Sequence, residues 1–258
     1  MSEVVRKIYW ILSAQFGVDF RRMLHSLRGL PRYVGGWYRF RKAYSGKLEI
    51  RPCLYDWYEE GGSTKNEYFW QDLHVARKIN AANPLKHVDI GSRIDGFVAH
   101  VASFREIEVF DIRPITSKID GVVFRQADLM NPSGELAGYC DSLSCLHALE
   151  HFGLGRYGDP IAPMGSVTGL ENITKLLKSD GLLYLSVPIG IERVEFNAHR
   201  VFDPLKLVQL AKDNGLTLSE FDWFVAGGGL IHSQNPDQDM RKLGTSRYAL
   251  GIFTFRKS

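Results

Sequence analysis

From residue 86 onward, short apolar runs alternate with stretches in which apolar residues recur every three or four positions. The first pattern suits strands buried on both faces, the second suits amphipathic helices. Strands are predicted over 87–90, 108–111, 122–126, 142–145 and 181–187, then over 216–224 and 248–256. Helices are predicted over 97–103, 148–152, 167–177 and 204–214, with a Gly- and Pro-rich loop over 153–165. Alternation of this kind predicts an α/β domain built on a mostly parallel sheet. Ahead of it, Tyr68, Phe69, Leu73, Ala76 and Ile79 share one side of a helix predicted over 66–82. A short strand is expected over 48–51, ended by Pro52, and Gly61-Gly62 makes a break. Residues 3–16 and 19–28 have helical spacing joined at Gly17, the second helix being closed by Gly29 and Pro31. The expected organisation is a helical extension over 1–62 and an α/β domain over 63–258.

Charge changes this picture at one end. Residues 1–47 hold ten Lys/Arg against Glu3 and Asp19, hence +8; with +3 overall, the remainder carries −5. Tyr33, Trp37, Tyr38, Phe40 and Tyr44 are interleaved with these cations. Such an arm suits three arrangements: aromatics packed on the main domain, peripheral attachment to an anionic membrane, or, as the least favoured, nucleic acid. The apolar content of 45% allows a sizeable core, and the three cysteines are too few for a disulfide framework. Cys140 and Cys145 are expected to be buried small hydrophobes. No signal-peptide pattern opens the chain and no apolar run spans a membrane, so a cytoplasmic protein is expected, with attachment to the inner membrane face as the variant.

The chemistry concentrates at the predicted strand ends. Asp89-Ile-Gly91 ends the first strand, and Ser92, Arg93 and Gly96 continue the turn into the next helix. Asp111 and Ile112 follow the second strand, and Asp128 and Leu129 follow the third. Ligands of open α/β sheets bind outside these ends, where a carboxylate accepts the hydroxyls of a ribose or an adenine amino group. The fourth strand continues as Asp141-Ser-Leu-Ser-Cys-Leu146-His147-Ala-Leu-Glu150-His151. This segment resembles the D-x-V-x-x-x-x-V-L-E-H stretch of class I S-adenosylmethionine (SAM)-dependent methyltransferases. With Asp89-x-Gly91, Asp111 and Asp128, the resemblance covers residues 86–190. It implies a Rossmann-like fold, a seven-stranded mostly parallel sheet flanked by helices. It also implies SAM as cofactor, with Asp89, Gly91, Ser92, Arg93, Gly96, Asp111, Ile112, Asp128, Leu129 and Leu146 around it. The sequence departs from the usual pattern at Ser92-Arg93, where a second glycine is common.

A narrower resemblance joins HALEHFGLGRYGDP (147–160) to FNAHRVFDP (196–204). Both segments are similar to the DUF268 family of methyltransferase-like proteins, often associated with bacterial surface-polysaccharide synthesis. That resemblance implies a sugar or glycan acceptor and O-methylation. His147, Glu150 and His151 are expected on one helical face, with His199 near the same sheet edge. His151 or His199 would serve as base; Arg156, Tyr157, Asp159 and Arg200 would meet the acceptor. His147, Glu150 and His151 also form a ligand set for a divalent metal, in a pattern close to the E-x-x-E-H of some metal-dependent O-methyltransferases. The same residues equally suit a metal-free acid–base site or a packed helix end. Two rival functions are a nicotinamide-dependent sugar oxidoreductase and a non-catalytic scaffold that binds a membrane or partner through its basic arm. The first would need Gly-x-Gly spacing after strand one, which is absent, and its one Tyr-x-x-x-Lys pair, Tyr38 and Lys42, lies in the arm.

Overall fold

The computed structural model describes residues 3–62, 64–132 and 136–258. The chain divides into two compact units, residues 1–63 and 64–258.

In the second unit, a sheet of eight strands runs in the order β3-β2-β1-β4-β5-β10-β8-β9. Its parallel part comprises β1 (His87–Ile90), β2 (Ile107–Asp111), β3 (Val122–Gln126), β4 (Cys140–Leu146) and β5 (Leu177–Ile189). The antiparallel β10 (Ala249–Lys257) then pairs with both β5 and β8 (Leu216–Val225). All seven strands expected from residue 86 onward are present. The eighth is β9 (Gly229–His232), which pairs with β8 across the Gly227–Gly229 turn, so that triglycine is a hairpin turn. A separate two-stranded ribbon, β6 (Arg193–Glu195) and β7 (His199–Val201), lies in the chain between β5 and the helix at Pro204–Asp213 and was not foreseen. Three residues per strand give too short an alternation to read.

Helices cover both faces, which is why the central strands are apolar without alternation. Val75, Ala76 and Ile79 of α3 (Glu67–Ala82) pack on one face with Phe97, Val98 and Val101. The last belongs to α4 (Ala99–Ala102), a short helix entered through a wide turn at Ile94–Val98. On the other face lie α5 (Gly165–Leu176), α6 (Pro204–Asp213) and α7 (Pro236–Gly244), with Leu170, Ile173, Leu207, Ala211 and Met240 buried. Cys140 and Cys145 are buried in that core as free thiols. The helix ends follow local chemistry. Asn66 caps α3 by accepting the Tyr68 N–H, and Asp203 caps α6 ahead of Pro204 at its first turn. Between β1 and β4 the strand order reverses, and the crevice at this point opens beyond the C-terminal strand ends.

The first unit holds α1 (Glu3–Phe16) and α2 (Phe20–Ala43). The second helix does not stop at residue 28. Gly29 sits within it because the chain returns there: a Cβ would lie 2.0 Å from the Leu54 carbonyl oxygen. Pro31 is likewise inside the helix. Residues 48–51 form no strand, because no neighbouring strand completes a ladder; this segment leads to a single helical turn at Asp56–Tyr58. No helix among the described residues is long and apolar enough to cross a membrane.

Candidate active site

The crevice holds a cavity of about 470 Å³. One end is made by the tips of β1, β2 and β3, the other by side chains that arrive from five separate stretches of chain.

At the first end, the Asp89 carboxylate is fully buried and accepts from the Ser92 N–H (3.0 Å), the Ser92 hydroxyl (2.7 Å) and the Ser144 hydroxyl (2.6 Å). Burial pushes its pKa up to about 6. Asp89 and Ser92 therefore fold the turn from beneath and do not line the cavity. Gly91 does line it. Its φ of +71° is left-handed, and a Cβ would meet the Ala148 methyl at 2.9 Å, so the turn requires glycine. Gly96 makes a different close approach, its Cα facing the Asp72 carboxylate of α3, away from the cavity. Arg93 reaches the cavity and is paired with Asp95 at 2.7 Å. Asp111, Ile112, Asp128, Leu129 and Leu146 all line the same end.

Asp111 carries a partner that spacing did not reveal. Its Oδ1 accepts the Arg113 backbone N–H and Nε, and its Oδ2 accepts Arg113 Nη2 at 2.6 Å. Each carboxylate oxygen has two acceptor directions, so Oδ2 keeps one for a further donor. The Arg113 guanidinium also lies 4.4 Å above the Tyr157 ring, which Arg156 approaches at 5.2 Å. Asp128 accepts the Met130 N–H, fixing the turn after β3.

The loop after β4 is organised by two residues expected to touch substrate. Asp159 accepts the N–H groups of Gly153 (2.8 Å), Gly155 (3.1 Å) and Tyr157 (3.1 Å). Burial alone would raise its pKa; those amides outweigh burial and lower it. Arg200 is buried and donates to the carbonyls of Phe152 (2.6 Å), Pro163 (3.1 Å) and Glu150 (3.3 Å). It does not line the cavity. The structure thus makes Arg200 a clamp and Asp159 a loop organiser. Arg156, Tyr157 and Asp159 of this loop line the crevice, Asp159 while also holding the loop's amides.

At the far end, His147, Glu150, His151 and His199 face one space. The predicted helix over 148–152 is only a single turn at Leu149–His151, with His147 ahead of it at φ +52°. This left-handed backbone is uncommon for a residue with a side chain. It is held by a 2.7 Å contact between His147 Nδ1 and Glu150 Oε1 and by tilted packing of the imidazole against the Tyr68 ring, ring centres 4.6 Å apart. Glu67 Oε1 lies 3.4 Å from His147 Nε2 and accepts the Tyr248 hydroxyl at 2.8 Å. Desolvation opposes the charged imidazole, but Glu150 and Glu67 prevail and raise the His147 pKa to about 9. The same network lowers the Glu67 pKa against the upward pull of burial. Burial lowers the pKa of both His151 and His199. His151 Nδ1 donates to the Ala198 carbonyl at 2.7 Å, which leaves its Nε2 as the lone-pair nitrogen. His147 Nε2, Glu150 Oε2 and His199 Nε2 are buried with no hydrogen-bond partner.

Sequence reasoning missed Glu67, Tyr68 and Tyr248 at this end. Tyr68 was assigned to a helix core and Tyr248 to the start of a strand. The only local signal is the Asn66 cap, which announces that α3 begins there but not that it begins over the crevice. The metal expectation is also corrected. His147 Nδ1 is paired with Glu150 and His151 Nδ1 with a carbonyl, and the three side chains do not form a cluster in which each brings one ligand atom to a common ion position. Among the described residues, ligand-type side chains gather instead at His74, Asp222 and His232. There both imidazoles lie 2.8 Å from the Asp222 carboxylate and Lys78 lies 3.4 Å from it, a closed clamp tying α3 to β8 and β9.

Residues 100–226, just under half of the chain, match the sequence model of the family described as "Caenorhabditis protein of unknown function, DUF268". The fold matches the 1,6-didemethyltoxoflavin-N1-methyltransferase of Burkholderia thailandensis, determined with 1,6-didemethyltoxoflavin and S-adenosylhomocysteine. The TM-score is 0.50 at 15% identity, over 93% of this chain and 91% of that one. It also matches the N-methyltransferase NodS of Bradyrhizobium japonicum WM9 in complex with S-adenosylhomocysteine, with TM-score 0.50 at 13% identity, over 75% of this chain and 89% of that one. No curated protein matches the chain. The fold is the Rossmann-like α/β fold of class I SAM-dependent methyltransferases, and the DUF268 resemblance extends from the two quoted motifs to the middle of the chain.

Proposed function

We propose that this protein is a SAM-dependent methyltransferase that methylates an oxygen of a sugar or glycan. The observation that carries the reading is a single cavity with two chemically different ends. One end has a glycine-built turn and strand-end carboxylates; the other has imidazoles of opposite charge preference.

The residues at the first end fit an adenosyl group. Gly91 leaves space that a Cβ would fill, Asp111 Oδ2 retains an acceptor direction for a ribose hydroxyl, and Ile112, Leu129 and Leu146 provide apolar walls. When bound there, SAM supplies an electrophilic methyl group. The chain's own part is to orient the acceptor in line with that methyl and to take its proton. At neutral pH His199 and His151 are held neutral by burial, so their Nε2 atoms are the bases. His147 is not a base: with its pKa near 9 it stays an imidazolium between Glu67 and Glu150. It therefore holds the two carboxylates in place, where their remaining oxygens can accept acceptor hydroxyls. Tyr157, edge-on to His151 at 5.4 Å between ring centres, stands in the crevice beside Arg113 and Arg156, whose N–H groups can donate to acceptor hydroxyls.

Incubating the protein with SAM and a panel of free and nucleotide-linked saccharides, with release of S-adenosylhomocysteine as readout, tests the acceptor. Release dependent on a saccharide, with the mass of one methyl added to an oxygen, is the expected result. Methylation confined to amines would overturn the oxygen assignment.

A further inference from the structure

We infer that the first unit is an interfacial anchor for an anionic lipid surface, independent of the chemistry in the crevice. In α2, Phe20, Met23, Leu24, Leu27, Leu30, Val34 and Tyr38 recur at intervals of three and four and are all exposed. They form one apolar stripe along a helix about 36 Å long. The stripe is not a surface waiting for the rest of its own unit, because that unit packs on the other side of the helix. The strap over 54–58 runs along the opposite face: Leu54 lies against Gly29, while Arg22, Arg28 and Arg32 lie over the rings of Tyr55, Tyr58 and Trp57 at 4.9, 5.2 and 4.1 Å. The unit has thus set its strap on the small and cationic face, where Gly29 is buried, and left its apolar face open. In α1, Ile8, Trp10, Ile11 and Phe16 are exposed as well, Phe16 at 72%.

The charge on this unit selects the occupant. Arg21 and Arg39 lie at the flank of the stripe and Arg41 and Lys42 end the helix, within a segment of net charge +8. An apolar stripe edged by arginines, with Trp, Phe and Leu in it, matches the boundary between anionic headgroups and acyl chains. A second copy of the chain would have to bring a second set of the same positive charges to the same face. Base stacking is disfavoured too, since Tyr55, Trp57 and Tyr58 already carry arginines on their faces.

The test is co-sedimentation of the full-length protein with vesicles of phosphatidylcholine alone and of phosphatidylcholine doped with phosphatidylglycerol, at low and raised salt. Binding is expected only to the anionic vesicles, weakening as salt rises. The double variant Leu24→Ser/Leu27→Ser removes side chains that are 62% and 68% exposed, so the fold survives it. Its affinity should fall by on the order of tenfold or more. Arg21→Gln/Arg39→Gln should lower affinity by a similar factor. No binding to anionic vesicles at low salt, or binding unchanged in both variants, overturns the inference. So does a dimer in the ultracentrifuge that Leu24→Ser/Leu27→Ser dissociates while vesicle binding is absent.

Discussion

The two ends of the cavity are built by different rules. At the end proposed for the cofactor, each residue sits within a few positions of the strand that delivers it, and the shape is mostly backbone: the left-handed Gly91, the Asp89 hydrogen bonds beneath it, and the turns after β2 and β3. At the end proposed for the acceptor, Glu67, His147, Glu150, His199 and Tyr248 come together from the start of α3, the end of β4, the β6–β7 ribbon and the approach to β10. The first kind of site needs a correct turn; the second needs a correct fold. The difference predicts that substitutions at the two ends fail in separable ways.

The largest effect belongs to the acceptor end. His199→Ala and His151→Ala should each lower turnover, and loss of the principal base should cost about 10²–10⁴-fold while SAM affinity is kept. Steady-state rates alongside binding measurements check this; full turnover in both variants would remove the imidazoles from the mechanism. At the cofactor end, Gly91→Val brings a β-branched side chain to φ +71° and against Ala148. Adenosyl affinity should fall by on the order of a hundredfold, with the circular dichroism of the sheet preserved. Equal loss of turnover and affinity in all three variants would erase the distinction between the ends.

The pH dependence sharpens the same comparison. His199 and His151, with lowered pKa values, become bases as pH rises from the acid side, below the ordinary histidine range. His147 has a raised folded-state pKa, so its contribution to stability is complete below about 6.5 and is lost as pH rises through about 9. A rate profile that climbs in the acid range and declines near pH 9 is expected. Conversion of His147 to Gln should remove the alkaline limb and leave the acid one. The smallest effect on catalysis belongs to the Asp222 clamp, which does not line the cavity. The Asp222 pKa is lowered to about 2, burial opposing but His74, His232 and Lys78 prevailing. Its stabilisation is therefore present above the ordinary carboxylate range and disappears as pH falls toward 2. Asp222→Asn should cost about 3 kcal/mol of unfolding free energy at neutral pH, read by denaturant titration, with adenosyl affinity unchanged.

How much was legible in the sequence follows the same division. Strand ends, the Gly91 turn and Asp111 could be placed from periodicity and spacing, because each is a local event. What spacing did not show at that end was direction: Asp89 turns under its loop and Gly96 turns toward Asp72. Arg113 also went unread, although it stands two residues from the carboxylate it grips. At the other end, His147, Glu150, His151 and His199 were legible as residue types, whereas Arg200 clamps the loop from outside the cavity and Asp159, although it lines the cavity, also organises that loop. Glu67 and Tyr248 are separated by most of the chain, and only the folded domain makes them neighbours. The N-terminal unit shows the opposite failure. Gly29 and Pro31 looked like helix breakers, yet Gly29 is the contact point for a strap that only the fold reveals.

The central claim, one cavity with an adenosyl end, is tested most directly by calorimetric titration of the purified protein with SAM and S-adenosylhomocysteine, with NAD as control. The account predicts saturable binding of both adenosyl compounds and none of NAD. Absence of adenosyl binding, or a preference for NAD, would contradict it.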